Sequence, residues 1–150
     1  MALTDVETAD AATLLAAVRS RPDDHPGLVE AIELAAVEEK ARLMEQVVRL
    51  GRLPALERMA SLLLELHDRL DLVGLARDGR FAMPLTQETL ADATGLSLVH
   101  FNRTLQQLRR ERMIEMRSGW VTLLQPDMLQ TAADYRRITA GDLTVRAVNV

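Results

Sequence analysis

The chain has no cysteine. Disulfides, thiolate metal sites and thiolate-held iron–sulfur clusters are therefore excluded. Aromatic residues are nearly as scarce, 3% of 150 residues. A core must then be assembled from Leu, Ala, Val and Met, a palette that favours helices. No apolar run approaches the roughly 18 residues of a membrane-spanning helix, and the acidic start MALTDVETAD lacks the basic stretch of a signal peptide. These absences point to a soluble cytoplasmic protein with no membrane partner. With 48% hydrophobic residues, the length suits one domain, or one small domain with an assembly element.

Signs of catalysis are also missing. His25, His67 and His100 fall on separate elements without ligand-like spacing. No glycine-rich phosphate loop or nucleophile elbow is present. The pair Glu38-Glu39 lies on a helix that already has a packing role. No catalytic residue, metal site or cofactor is expected.

The net charge of −4 argues against a polyanionic partner until its distribution is considered. Residues 1–78 carry 9 basic and 15 acidic side chains, whereas residues 79–150 carry 9 basic and 7 acidic. Between Ser97 and Trp120 five arginines face two glutamates. Local sign governs groove binding more than the total does. The acidic first half belongs away from a duplex.

Along the chain, residues 9–18 read as a short helix, and residues 20–27, with two prolines and a glycine, as a break. From Leu28 two apolar stripes run at helical spacing. Leu34, Val37, Ala41, Met44 and Val48 form one; Val29, Ile32, Ala36, Leu43, Val47 and Leu50 form the other. Two stripes require two buried surfaces. The first suits contact with a second copy, as in a short coiled coil, and the second suits packing within its own subunit. A helix of a monomeric bundle fits the same pattern. Gly51 ends or bends this helix, and Pro54 opens the next over residues 55–72. Residues 71–79 read as a loop, and residues 81–85 as a short extended segment.

The segment TQETLADATGLSLVHFNRTLQQLRRE, residues 86–111, carries the most information. Thr86 suits a helix N-cap, Gly95 a turn needing positive φ, and Ser97 a second N-cap. Phe101, Leu105 and Leu108 face inward. The opposite face holds Val99, His100, Asn102, Arg103, Gln106, Gln107 and Arg110, groups able to bond base edges and phosphates. This is the layout of a helix-turn-helix, and it makes double-stranded DNA the leading partner. Arg103 can fork onto guanine, Asn102 can pair with adenine or hold a phosphate, and His100 can donate to either. Thr86, Gln87 and Ser97 stand at helix starts, where free N–H groups favour phosphate oxygens. Residues 113–116 and 120–124 flank a Ser-Gly turn as a hairpin, with Arg117 poised to touch the backbone. Trp120 reads as hairpin core, the methionines as core filler, and Arg109, Arg110 and Arg112 as solvated or paired with Glu111 and Glu115. A last short helix runs from Pro126 to Tyr135, and residues 138–150 lack any period.

Residues 84–133 resemble the C-terminal half of the Crp/Fnr transcription regulators. The resemblance rests on Leu85-Thr86-Gln87, the Ala91…Gly95-Leu96-Ser97 turn, the Asn102-Arg103 pair and the Leu105-to-Leu108 spacing. Residues 50–60 are similar to the end of that family's dimer helix and the start of its DNA-binding domain. The resemblance implies a mainly α fold: a long dimerisation helix, then a winged helix-turn-helix domain with a small β-hairpin wing. Its expected divisions are residues 1–51, 52–137 and a tail, 138–150. It implies a homodimer reading a twofold-related operator, with base-reading positions at Leu98, Val99, Asn102 and Arg103. RNA polymerase is a further candidate partner. Family members usually begin with a β-roll sensor, of which only residues 2–6 would be a remnant here. The sensor's phosphate-cradling motif has no counterpart, so no cyclic nucleotide site is expected. A different class of function, a protein-interaction module that pairs with another regulator without reading DNA, suits the acidic first half.

Overall fold

The computed structural model describes residues 10–21 and 27–135. The expectations for residues 2–6, for His25 within the break, and for the tail at 138–150 lie outside the described residues. The chain divides into two compact units, one holding residues up to Leu43 and the other Met44–Arg137.

In the first unit, α1 (Ala11–Ser20) starts at Asp10. The Asp10 carboxylate accepts from the Thr13 hydroxyl at 2.7 Å and from the Thr13 backbone N–H at 2.9 Å. Those two bonds, the hydroxyl's first, hold its pKa below the ordinary carboxylate value. Val18 is buried and Arg19 pairs with Glu33 on α2 (Leu28–Arg52). Gly51 does not stop α2, which runs one residue past it. The break falls at Leu53–Pro54, because the proline ring disfavours a helical conformation for the residue before it. Of the first stripe on α2, Leu34, Val37, Met44 and Val48 are exposed and Ala41 half-buried. Of the second stripe, Val29 and Ile32 are half-buried, and Ala36, Leu43, Val47 and Leu50 are exposed.

The second unit is built on α3 (Ala55–Leu72). Met59, Ala60, Leu63 and Leu64 recur at helical spacing and are buried. They meet Phe81, Leu90, Phe101, Leu108, Ile114, Val121 and Leu129 in one core. The elements that follow are β1 (Ala76–Arg77), β2 (Arg80–Ala82), α4 (Gln87–Thr94), α5 (Leu98–Arg110), β3 (Ile114–Arg117), β4 (Trp120–Leu123) and α6 (Pro126–Ala133). The strands form one antiparallel sheet in the order β1-β2-β4-β3. Helix α6 packs on α3, and past its end the Tyr135 hydroxyl donates to Asp68 at 3.1 Å. Burial first, then the Asp68 charge, raises the Tyr135 pKa well above its ordinary value.

The expected hairpin wing is present as β3 and β4, but it is half of a larger sheet. The segment read as a loop contains β1, and a second hairpin turns at Asp78-Gly79, where both residues have positive φ. That is the geometry of a two-residue type I′ turn. Ser118 and Gly119 repeat it in the wing. Trp120 is also not hairpin core. Strand alternation sends Val121 and Leu123 inward and leaves Trp120 42% exposed on the outer face. Among the described residues no helix is long and apolar enough to cross a membrane.

Candidate nucleic-acid interface

Helix α4 begins at Thr86, whose hydroxyl accepts from Thr89 N–H at 3.1 Å. It ends at Gly95, which adopts the left-handed conformation (φ 62, ψ 35). Gly95 N–H donates to Asp92 O at 3.0 Å and Leu96 N–H to Ala91 O at 2.9 Å. This crossed pair satisfies carbonyls that a helix end leaves open, and the buried Leu96 seals it. Two residues on, Ser97 caps α5 by accepting from His100 N–H at 3.3 Å. The turn is therefore set by local chemistry at both ends.

Helix α5 has one buried and one open face. Phe101, Thr104, Leu105 and Leu108 follow the 3-4 spacing and are buried, with the Thr104 hydroxyl returned to His100 O at 3.0 Å. On the far side Val99 (81% exposed), Arg103, Gln106 and Arg110 form an exposed line. Leu98 and His100 are exposed beside its start, and Asn102 is half-buried next to Arg103. Gln107 is engaged locally, donating to Glu111 at 3.0 Å. Of the two readings for Arg109, Arg110 and Arg112, solvated or paired with Glu111 and Glu115, the solvated one holds: all three are exposed. Among the described residues Arg103, Arg109, Arg110 and Arg112 have no carboxylate partner. Thr86 and Gln87 are exposed at the start of α4, Ser97 at the start of α5, and Arg117 at the end of β3. Among the described residues no group of three or more His, Asp or Glu could hold a metal ion.

Residues of long sequence separation fix the turn from behind. Gln46, near the end of α2, donates to Ala93 O at 2.7 Å, and Arg58 on α3 donates to Thr94 O at 3.0 Å. Both carbonyls belong to the last turn of α4, where the helix dipole is negative and a donor or cation is favourable. Arg49 on α2 pairs with Glu65 on α3, almost out of solvent. The end of α2 is thus clamped to the body that carries α4 and α5. Nothing in the local pattern around Gln46 or Arg58 marks this role, since each acts across 36 or more residues. The guanidinium of Arg80 lies 4.7 Å over the Trp120 ring.

Residues 57–132 match the Crp-like helix-turn-helix domain. The nitrogen fixation regulation protein FixK of Bradyrhizobium diazoefficiens is 30% identical over 111 residues, covering 74% of this chain and 46% of its own. The transcriptional activatory protein AadR of Rhodopseudomonas palustris is 28% identical over 112 residues, with the same 74% and 46% coverage. The chain therefore spans about half the length of these curated relatives. In three dimensions it is similar to FixK2 from Bradyrhizobium japonicum, with a TM-score of 0.67 at 22% identity over 81% of this chain and 60% of that one. A CRP/FNR-family transcriptional regulator from Thermus thermophilus gives a TM-score of 0.59 at 25% identity, over 75% and 57% of the two chains.

Proposed function

The chain belongs to the Crp/Fnr family through its Crp-like helix-turn-helix domain, and from that premise we propose that it regulates transcription by binding a twofold-related operator as a homodimer. Helix α5 enters the major groove, which is wide enough for an α-helix. Arg103 and Asn102 read base edges, Leu98 and Val99 offer apolar contact to thymine methyls, and His100 and Gln106 bond bases or phosphates beside them. Thr86, Gln87, Ser97 and Arg117 hold the backbone and set the register. The two copies meet along Leu34, Val37, Ala41, Met44 and Val48 of α2. Dimer contacts then fall within residues 1–51 and DNA contacts within residues 52–137. The protein works in the cytoplasm, takes RNA polymerase as a second partner, and performs no catalysis.

One observation carries this reading. Arg103 stands exposed on the second turn of a helix whose other face is locked into the core, with no carboxylate beside it among the described residues. A side chain so placed is held out without being neutralised. The test is selection from random duplexes followed by titration of the selected site. Arg103→Ala is expected to cost about 1–3 kcal/mol on that site, the range for a bidentate base contact, with a much smaller loss on unrelated DNA. If selection yields no site, or if the variant binds the selected site as tightly as the parent, the proposal fails. Sedimentation of the complex tests the two-to-one stoichiometry.

A further inference from the structure

The start of α5 holds the most exposed large apolar side chain among the described residues, Val99, at 81%. Nothing within the fold accounts for it. The inward face of α5 is filled by Phe101, Thr104, Leu105 and Leu108. Leu96 and Phe101, both buried, occupy the two positions of a hydrophobic staple around the Ser97 cap, so the apolar pair that a helix start uses is already supplied. Valine is also a modest helix former, because its branched Cβ restricts χ1. A carboxylate in the first turn would stabilise the helix dipole, and the first turn of α5 carries no acid. Packing, capping and helix propensity thus all leave Val99 without a purpose inside its own chain.

Val99 lies on the exposed line of α5, one turn before Arg103. Side chains four apart on a helix are neighbours, with Cβ atoms about 5–6 Å apart. A group met by Val99 therefore lies within about two base steps of a guanine taken by Arg103. In the major groove the apolar feature of a base edge is the C5 methyl of thymine. Beside it stands the O4 acceptor, where cytosine has the N4 donor. Valine can neither donate nor accept, so it responds to the methyl and is blind to the group beside it. Thymine and 5-methylcytosine are then equivalent to Val99, and both differ from plain cytosine. Its restricted χ1 holds the two valine methyls in one orientation, so little freedom is lost on contact. We propose that Val99 is a reader of C5-methylated pyrimidines, and that methylation of an operator cytosine beneath it raises affinity. The proposal rests on the DNA reading and deepens it, because it adds a chemical mark on the operator to the base sequence.

The test uses the full chain and a panel built on its selected operator. Each thymine under α5 is replaced singly by uracil, which removes the methyl and keeps the pairing edge. Each cytosine there is replaced singly by 5-methylcytosine, which adds the methyl. At the position covered by Val99 the affinity is expected to change about 4-fold, down for uracil or up for 5-methylcytosine, the equivalent of about 0.8 kcal/mol for one buried carbon. Val99→Ala favours the helix and withdraws both valine methyls, so it is expected to erase most of the difference between methylated and unmethylated duplexes. Val99→Ile keeps that difference, which separates a lost contact from a lost fold. If no position responds to its methyl, or if the alanine variant responds as the parent does, the inference falls; a loss of operator affinity on Arg103→Ala in the same assay leaves the DNA reading standing. If no operator can be selected, both fall together.

Discussion

Replacing Gly95 with alanine tests the physical account of the turn. The backbone there is left-handed (φ 62, ψ 35), a conformation that costs an ordinary L-residue about 1–2 kcal/mol. The unfolded chain of the alanine variant has fewer conformations to lose, which returns about 0.4–1 kcal/mol. A Cβ at this position would lie 3.1 Å from Leu50 Cδ2 and 3.4 Å from Arg58 Nη1. Leu50 is exposed and can swing aside, and 3.4 Å to Arg58, which is held by Thr94 O, is at the edge of ordinary contact, so the cost is mainly that of the backbone. The net expectation is a loss of about 1 kcal/mol, which for a domain of this size lowers Tm by about 4–8 °C. Asparagine tolerates the left-handed region and is expected to cost less than alanine; valine, branched at Cβ, costs more. Thermal melts followed by circular dichroism, with urea midpoints alongside, read the series. An alanine variant as stable as the parent, or asparagine and valine variants that melt together, would refute the reasoning.

Two other perturbations follow from the buried groups. Arg49→Met strands Glu65 in a nearly closed setting, for which breaking a buried pair costs about 3–5 kcal/mol. Glu65 keeps Arg69 at 3.7 Å, so the low end applies, and Arg49→Met/Glu65→Leu is expected to regain most of the loss; equal urea midpoints for the single and double variants would contradict this. The raised Tyr135 pKa means the folded state favours the neutral phenol. Its contribution is complete below the ordinary value of 10.0 and is lost as pH rises beyond it. The urea midpoint of the parent therefore falls above that pH, and Tyr135→Phe, which cannot ionise, shows a shallower fall.

The sequence was most legible where chemistry is local. Helix α3 was bounded by the spacing of Leu56, Met59, Ala60 and Leu63 and by Pro54. The turn between α4 and α5 was written in Thr86, Gly95 and Ser97, each of which acts within four residues of itself. The β1–β2 hairpin escaped because strands of two and three residues cannot display alternation. The signal that existed was Asp78-Gly79, the dipeptide suited to a type I′ turn. Trp120 was read as hairpin core, although its alternation with Val121 and Leu123 pointed it outward. The clamp from Gln46 and Arg58 could not be read at all. Its bonds join residues 47 and 36 apart, and a glutamine near the end of a helix reads as surface. The two stripes of α2 show the converse: periodicity fixes which side chains share a face, but not what lies against it.

Trp120 is the chain's single indole, and it sits half in solvent beneath Arg80. Near-ultraviolet emission excited at the red edge therefore originates from one spot on the wing, free of contributions from the core and from Tyr135. The molecule carries its own optical reporter at the rim of its sheet, sensitive to a cation stacked overhead and to anything that displaces it, with no dye or engineered label required.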